Sequence, residues 1–422
     1  MPLTAPTTGD TVTSGDPGPV RPDPGAGEIV MGLAGTVDVE LAWSAETWSR
    51  LAREEGIRLA DLDPLVPILD VRSALRVTLA LMARGRGNEV FLASSAIAWA
   101  LADRFPHRVT LGGTNIRAAI LMAILGIPAT VAVVDVDPTM RRLLPPGVVV
   151  LRHGDSASLD PHLIVQYPAD AVIELADGEI RTPAPNRVIL TNDPPNRALR
   201  LAPGLAEAAR RARILVLSSL NAIQEADVLA ERLAELGAIV ASLDPGTLVL
   251  WEEAGYHVES FRARVTAVMA PLAHVYSMNE DELGAFVGRT VDPADVDDVA
   301  RALAELRRIV PARTIVVHSS LWALAVGDDA EALRPALRGG ITAAGARYLH
   351  GDALDRAGYD AVAALDPDPA NLARAGALAD LVPGLVVEPA LRLVTADPTT
   401  IGLGDTFVGG FVAALARPEP TR

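Results

Sequence analysis

From Pro203 onward the chain repeats one pattern, in which short apolar runs alternate with amphipathic helical segments. The runs lie near Ile214–Ser218, Ile239–Leu243, Val275–Asn279 and Ile315–His318. The helical patterns lie at Ala226–Leu236, His257–Met269, Asp295–Ile309 and Ala330–Leu337. A strand that is apolar on both faces must be covered on both. The pattern therefore predicts a buried, mostly parallel sheet flanked by helices, an α/β core. Upstream, Glu28–Gly35 reads as a first core strand ending in glycine. Helical patterns follow at Ala45–Glu55, Val71–Ala83 and Ser94–Phe105, and Gly112-Gly113 opens a helix that contains Ala118–Leu125.

The stretch from Gly147 to Asn192 differs. Strand candidates Val148–Arg152, Leu163–Tyr167, Ala171–Leu175 and Arg187–Thr191 follow one another, separated by Pro and Asp. This predicts a smaller β-rich lid domain beside the carboxyl edges of the main sheet, where open α/β sheets take ligands. The expected organisation is a large domain of residues 28–35, 111–146 and 201–422, with a lid from part of 36–110 and from 147–200. Residues 1–27 are rich in Pro, Gly, Thr and Asp, too polar to offset ordering entropy, and read as a disordered tail.

Composition excludes several functions. The net charge of −16 argues against nucleic acid, which rewards basic surfaces. No cysteine means no disulfide and no thiolate chemistry. The chain has no lysine, so a Walker phosphate loop is excluded and any phosphate contact needs arginine, backbone amides or metal. The uncharged run Ala118–Val134 spans 17 residues, at the lower edge for crossing a membrane. Gly126-Ile127-Pro128 divides it into a helix end and a strand start, so no membrane contact is expected. No charged-then-apolar leader pattern opens the chain, and a cytoplasmic location is expected.

Two acidic regions carry chemistry. Near the C-terminus, Ile401-Gly402-Leu403-Gly404-Asp405 follows a strand-like segment and opens a helix of small and apolar residues. Free N–H groups at a helix start favour anions, and an aspartate there can take a proton from a hydroxyl. Asp405 reads equally as an ordinary N-cap. The second region pairs His257-Val258-Glu259 with Asn279-Glu280-Asp281-Glu282 at a strand-to-helix junction. Asn279 and Glu282 have capping-box spacing. Alternatively, Glu282 and Glu259 converge to hold Mg²⁺ largely through water, as that ion prefers.

The ordered set His257-x-Glu259, Asn279-x-x-Glu282 and Gly402-x-Gly404-Asp405 resembles the ADP-dependent glucokinase/phosphofructokinase family, a branch of the ribokinase-like superfamily. Ser218–Ile223, Asn186–Leu190, Gly112-Gly113 and His318–Leu321 resemble further family segments, so the resemblance runs from about Glu28 to the C-terminus. It implies a ribokinase-like core with a lid, and an Mg²⁺-dependent kinase that moves the β-phosphoryl group of ADP onto a sugar or sugar phosphate. By this similarity Asp405 is the base, and the amides of Gly402–Asp405 form the anion hole. Glu282 and Glu259 organise the metal, while Asn279 and Arg187 meet nucleotide or substrate phosphate. The acceptor side departs from the family: its Asn-x-Asn-x-Asp pattern is reduced here to Thr36-Val37-Asp38. Candidate acceptor contacts are Asp38, Thr36, Gly112, Gly113, Arg117 and Glu89. Arg117 reads as a surface arginine or as a contact for an anionic substrate. His162 and His318 read as packed or hydrogen-bonded rather than as ligands. The implied acceptor is fructose 6-phosphate or glucose, on a monomer or small homo-oligomer. The alternatives are an ATP-dependent ribokinase-like carbohydrate or nucleoside kinase, and a non-catalytic sugar or nucleotide sensor on the same fold.

Overall fold

The computed structural model describes residues 11–13, 28–156, 160–395 and 398–416; of the expected N-terminal tail, all but residues 11–13 lie outside this range. The main sheet has its strands in the order Thr11–Thr13, Val148–Asp155, Ala129–Val136, Glu28–Gly32, Ala212–Leu217, Leu248–Glu252, Val275–Asn279, Thr314–His318, Trp322–Gly327 and Leu385–Pro389. The strands from Val148–Asp155 through Thr314–His318 run parallel, and antiparallel pairs close both edges.

Alternation along each strand divides the core into two layers. Ile29, Met31, Ile214 and Val216 enter one cluster with the helices Thr114–Ile124, Arg334–His350 and Leu403–Ala416. Val30, Leu215 and Leu217 enter the other, with Ala226–Ala241, Ser260–Met269 and Val296–Ile309. The last of these buries Val299, Ala302, Leu303 and Leu306, one stripe at helical spacing.

The α/β architecture expected from the sequence is observed, with local corrections. Ile239–Leu243 is not a strand but the end of the helix Ala226–Ala241; the strand comes later, at Leu248–Glu252. Val148–Asp155 belongs to the main sheet and not to the smaller β-rich layer. Among the described residues no strand leads directly into Gly402; residues 398–400 are irregular and lead into a turn.

The smaller layer is a five-stranded sheet in the order Asn88–Phe91, Asn186–Thr191, His162–Tyr167, Thr36–Leu41 and His107–Gly112. Val39, Leu41, Leu163, Val165, Val188 and Leu190 pack on one face against the helices Ala45–Glu54, Val71–Ala83 and Ser95–Ala102. The period of two places the intervening residues on the opposite face, toward the main sheet. Asp38 pairs in register with His162, and Glu40 with Ile164. No helix of the described residues is long and apolar enough to cross a membrane.

The helix that carries Asp405 is held by a close crossing with Arg334–His350. A Cβ at Gly339 would stand 2.6 Å from the Gly410 carbonyl oxygen, and one at Gly410 would run into the Gly339 carbonyl. Gly410→Ala should therefore destabilise the protein by about 1–3 kcal/mol through overpacking. Urea unfolding at fixed m-value checks this, and an unchanged midpoint would contradict the packing account.

Candidate active site

A cavity of about 800 Å³ lies between the carboxyl ends of the main-sheet strands and the polar face of the smaller sheet. Four adjacent parallel strands deliver side chains to it directly past their last apolar residues: Ser218, Glu252, Asn279 and His318.

Asp405 sits in the first turn of the helix Leu403–Ala416. Its Oδ1 accepts from Thr114 Oγ1 at 2.9 Å, and its Oδ2 lies 3.7 Å from Arg117 Nε. Gly402, with φ of +70°, makes the turn into the helix; a Cβ there would stand 2.7 Å from Arg117 Nε. The Ile401 carbonyl accepts from Arg347 Nε at 2.8 Å, and Thr400 Oγ1 donates to Gln166 Oε1 on the smaller sheet at 3.2 Å. The turn is thus tied both to the smaller sheet and to the helix Arg334–His350. It leaves the N–H groups at the helix start open to the cavity, together with Gly404 and Leu403.

Asn279 and Glu282 form the capping box that their spacing suggested, and both line the cavity. Glu282 N donates to Asn279 Oδ1 at 2.9 Å and Asn279 N donates to Glu282 Oε2 at 2.8 Å, a capping box on the cavity wall. Burial, reinforced by the charge of Glu252, pushes the Glu282 carboxyl up to about 8. Glu252 Oε1 lies 3.1 Å from His318 Nε2, while Glu252 Oε2 is buried with no hydrogen-bond partner among the described residues. Burial alone would lower the His318 ring, but the bond to Glu252 raises it. His318 also stacks on Phe407, with centroids 4.4 Å apart. It lines the cavity while remaining hydrogen-bonded, as its sequence context suggested.

Glu259 is not brought to Glu282. Its side chain is 67% exposed and accepts from Arg262 Nε at 2.9 Å, outside the cavity lining. His257 packs on Phe91, with centroids 4.1 Å apart, and its Nε2 lies 3.4 Å from Glu89 Oε1. The acid beside Glu282 is Glu252, because the strand ends there. The signal was present, since Leu248-Val249-Leu250-Trp251 runs into Glu252-Glu253 just as Val275–Met278 runs into Asn279.

Arg117 is not a surface residue; it lines the cavity, paired with carboxylates. Its side chain is 3% exposed, and its Nη2 donates to Asp38 Oδ2 at 2.9 Å. Thr36 Oγ1 donates to the other Asp38 oxygen at 2.8 Å. Gly112 abuts both Asp38 and Thr36, and Gly113 precedes the helix that carries Thr114 and Arg117. Glu89 stands on the strand Asn88–Phe91 and lines the cavity with Arg187. Burial alone would raise Glu89, but His257 and His162 hold it below its ordinary value.

His162 Nε2 bonds Asp193 Oδ2 at 2.7 Å, and Nδ1 lies 3.9 Å from Glu89 Oε1. Burial opposes its charge, yet Asp193 and Glu89 hold the ring up at about 9. A more apolar part of the cavity lining is formed by Ile341, Ala344, Leu391 and Leu393 with Tyr348 and Asn371. Sequence reading missed this part, because its residues come from three separate segments without a shared motif.

A model of the ADP-specific phosphofructokinase/glucokinase conserved region matches residues 28–347. The chain belongs to this family. It is a family of phosphotransferases with an alcohol acceptor, and its members here are sugar kinases. Among solved structures, a hypothetical ADP-dependent phosphofructokinase from Pyrococcus horikoshii OT3 is 16% identical, with a TM-score of 0.73 over 93% of this chain and 98% of its own. A phosphofructokinase from Pyrococcus horikoshii OT3 with AMP gives 0.70 at 16% identity, over 93% and 98%. An ADP-dependent kinase complex with fructose-6-phosphate and ADPbetaS gives 0.71 at 15% identity, over 93% and 94%. At these identities the likeness is one of fold. No curated protein matches the chain.

The His162 cation has a thermodynamic signature. An unfolded histidine titrates near 6.5, and here the folded ring is raised to about 9. Its stabilisation is thus fully present below the unfolded value and is lost as pH rises through the folded one. The melting temperature of the native protein should fall relative to that of His162→Gln between about pH 6.5 and 9. Parallel curves for the two proteins would contradict the paired cation.

Proposed function

We propose that this chain is an ADP-dependent sugar kinase, transferring the β-phosphoryl group of ADP to a hydroxyl of glucose or fructose 6-phosphate and releasing AMP. The observation that carries this is Asp405 in the first turn of a glycine-opened helix, facing one cavity with Asp38 and Glu282. Asp405 accepts the proton of the acceptor hydroxyl. As the acceptor oxygen bonds to phosphorus, the bond from phosphorus to the AMP oxygen breaks. The N–H groups at the helix start receive the charge on the moving phosphoryl group. Asp38, Thr36 and Glu89 on the smaller sheet face the acceptor, with Arg187 nearby. The apolar lining around Ile341, Ala344 and Leu393 suits a nucleotide base.

The donor set fits Mg²⁺. Glu252 has an unpartnered buried oxygen, and Glu282 beside it is disfavoured as an anion until a cation arrives. No group of three or more His, Cys, Asp or Glu among the described residues forms a ready metal cage; Mg²⁺ commonly keeps several waters and substrate phosphates. Glu282 and Glu252 would hold the ion, which when bound neutralises phosphate charge. A cytoplasmic enzyme belongs to the same reading.

Incubating the protein with Mg²⁺, glucose or fructose 6-phosphate, and either ADP or ATP should yield AMP with ADP. ADP release from ATP alone would instead indicate an ATP-dependent kinase. Asp405→Asn should lower turnover by about 10²–10⁴-fold while leaving nucleotide affinity largely intact. Unchanged turnover would defeat its role as base. Glu252→Gln and Glu282→Gln should each raise the Mg²⁺ concentration needed for half-maximal rate about 10-fold or more. The same substitution at Glu259 should leave it unchanged, and the reverse ranking would overturn the proposed metal contacts.

A further inference from the structure

We infer that Arg117 is the positioning residue that couples the acceptor-facing carboxylate Asp38 on the smaller sheet to the base Asp405 and the amide turn at the start of the helix Leu403–Ala416. This rests on the proposed kinase reading. Arg117 lines the cavity with its guanidinium turned to protein carboxylates. Its guanidinium is buried, and it bonds Asp38 Oδ2 at 2.9 Å. Its Nε stands 3.7 Å from Asp405 Oδ2, and its Nη2 stands 3.7 Å from Glu40 Oε1. Its Nη1 stands 3.8 Å from Asp352 Oδ1. Its stem fills the space that a side chain at Gly402 would occupy. One rigid planar fork therefore sets three things relative to each other: the acid that faces the acceptor, the acid that takes the proton, and the turn that aims the amides.

The neighbours make this position specific. Arg347 hydrogen-bonds Ile401 O, one residue before Gly402, and also bonds Asp352 Oδ1 at 2.8 Å. Arg347 Nη2 is buried without a partner among the described residues. Asp352 in turn lies 3.4 Å from Arg108, which holds Glu40. The charged groups around Asp405 are thus Arg117 in direct reach, with Asp38, Glu40 and Asp352 on the far side of that guanidinium. Arg347 lies behind the turn, and His318 approaches Gly404. Removing the Arg117 cation exposes Asp405 to these carboxylates and frees Asp38 from the base-bearing side. An arginine is suited to this because its fork fixes directions as well as charge. A misplacement of about 1 Å at such a point can cost about 100-fold in rate.

The test compares Arg117→Met and Arg117→Lys with the native enzyme. The readouts are kcat, KM for ADP and for the acceptor, the pH profile of kcat, and thermal melting with and without ADP. Arg117→Met should lose about 100-fold in kcat, keep the ADP-induced melting shift, and move the acid limb of kcat to higher pH. Arg117→Lys, which keeps the charge but not the fork, should hold the limb near its native position while still losing rate. Arg117→Met with native kcat would overturn the inference. So would an unmoved acid limb in Arg117→Met beside an equal loss in Arg117→Lys, since that is the behaviour of a merely structural arginine. If Arg117→Met does not fold, Arg117→Lys decides: loss of rate with a native ADP-induced melting shift supports the coupling, and native kcat refutes it. A native protein that releases no AMP with any sugar defeats the kinase reading and this inference with it. An active native protein with indifferent variants defeats the inference alone.

Discussion

Four carboxylates, those of Asp38, Glu40, Asp352 and Asp405, surround one buried guanidinium, that of Arg117. An ion taken out of water costs several kcal/mol unless partners replace its hydration, roughly speaking. Here the partners come from the smaller sheet and from helical segments packed on the main sheet, so the two layers can satisfy this cation only in one mutual arrangement. Thr400 to Gln166 and Arg108 to Asp352 cross the same junction and reinforce it. The cavity's shape therefore depends on charge pairing at its floor as much as on apolar packing behind it.

The wall opposite is built by a different rule. Parallel strands end together at one edge of the main sheet, so the residues just past their apolar runs are brought side by side whatever their distance in sequence. Ser218, Glu252, Asn279 and His318 meet in this way. The smaller sheet uses the period of two instead. Along the strands Thr36–Leu41 and His162–Tyr167, alternate positions bury Val39, Leu41 and Leu163 against helices, and the intervening ones turn Asp38 and His162 to the cavity. A face so rich in acids and histidines is tolerable because its members pair with one another and with Arg117.

The legible parts of the site were those in which a local motif and a tertiary position coincide. Asn279-x-x-Glu282 is readable because capping a helix at a strand end also places the acid at the ligand edge. Gly402-x-Gly404-Asp405 is readable because a turn with positive φ leading into a helix requires glycine and leaves free amides. His257-x-Glu259 had the right residue types but no such anchor; it lies past the strand end, and Glu259 turns out to Arg262. Glu252 went unnoticed because the run Ile239–Leu243 is as apolar as the true strand that follows it, and a short apolar run does not distinguish strand from buried helix end.

By itself the sequence determined the α/β alternation, the helix starts, the absence of lysine and cysteine chemistry, and the identity of two acids in first helical turns. These are properties of a few neighbouring residues, set by side-chain period, capping and backbone freedom. Only the tertiary structure decided which acid stands beside Glu282, that Val148–Asp155 joins the main sheet, and that Arg117 is buried among carboxylates rather than exposed. Each of these depends on contacts between segments far apart in the chain, and the energy of a charge is set by what surrounds it in space.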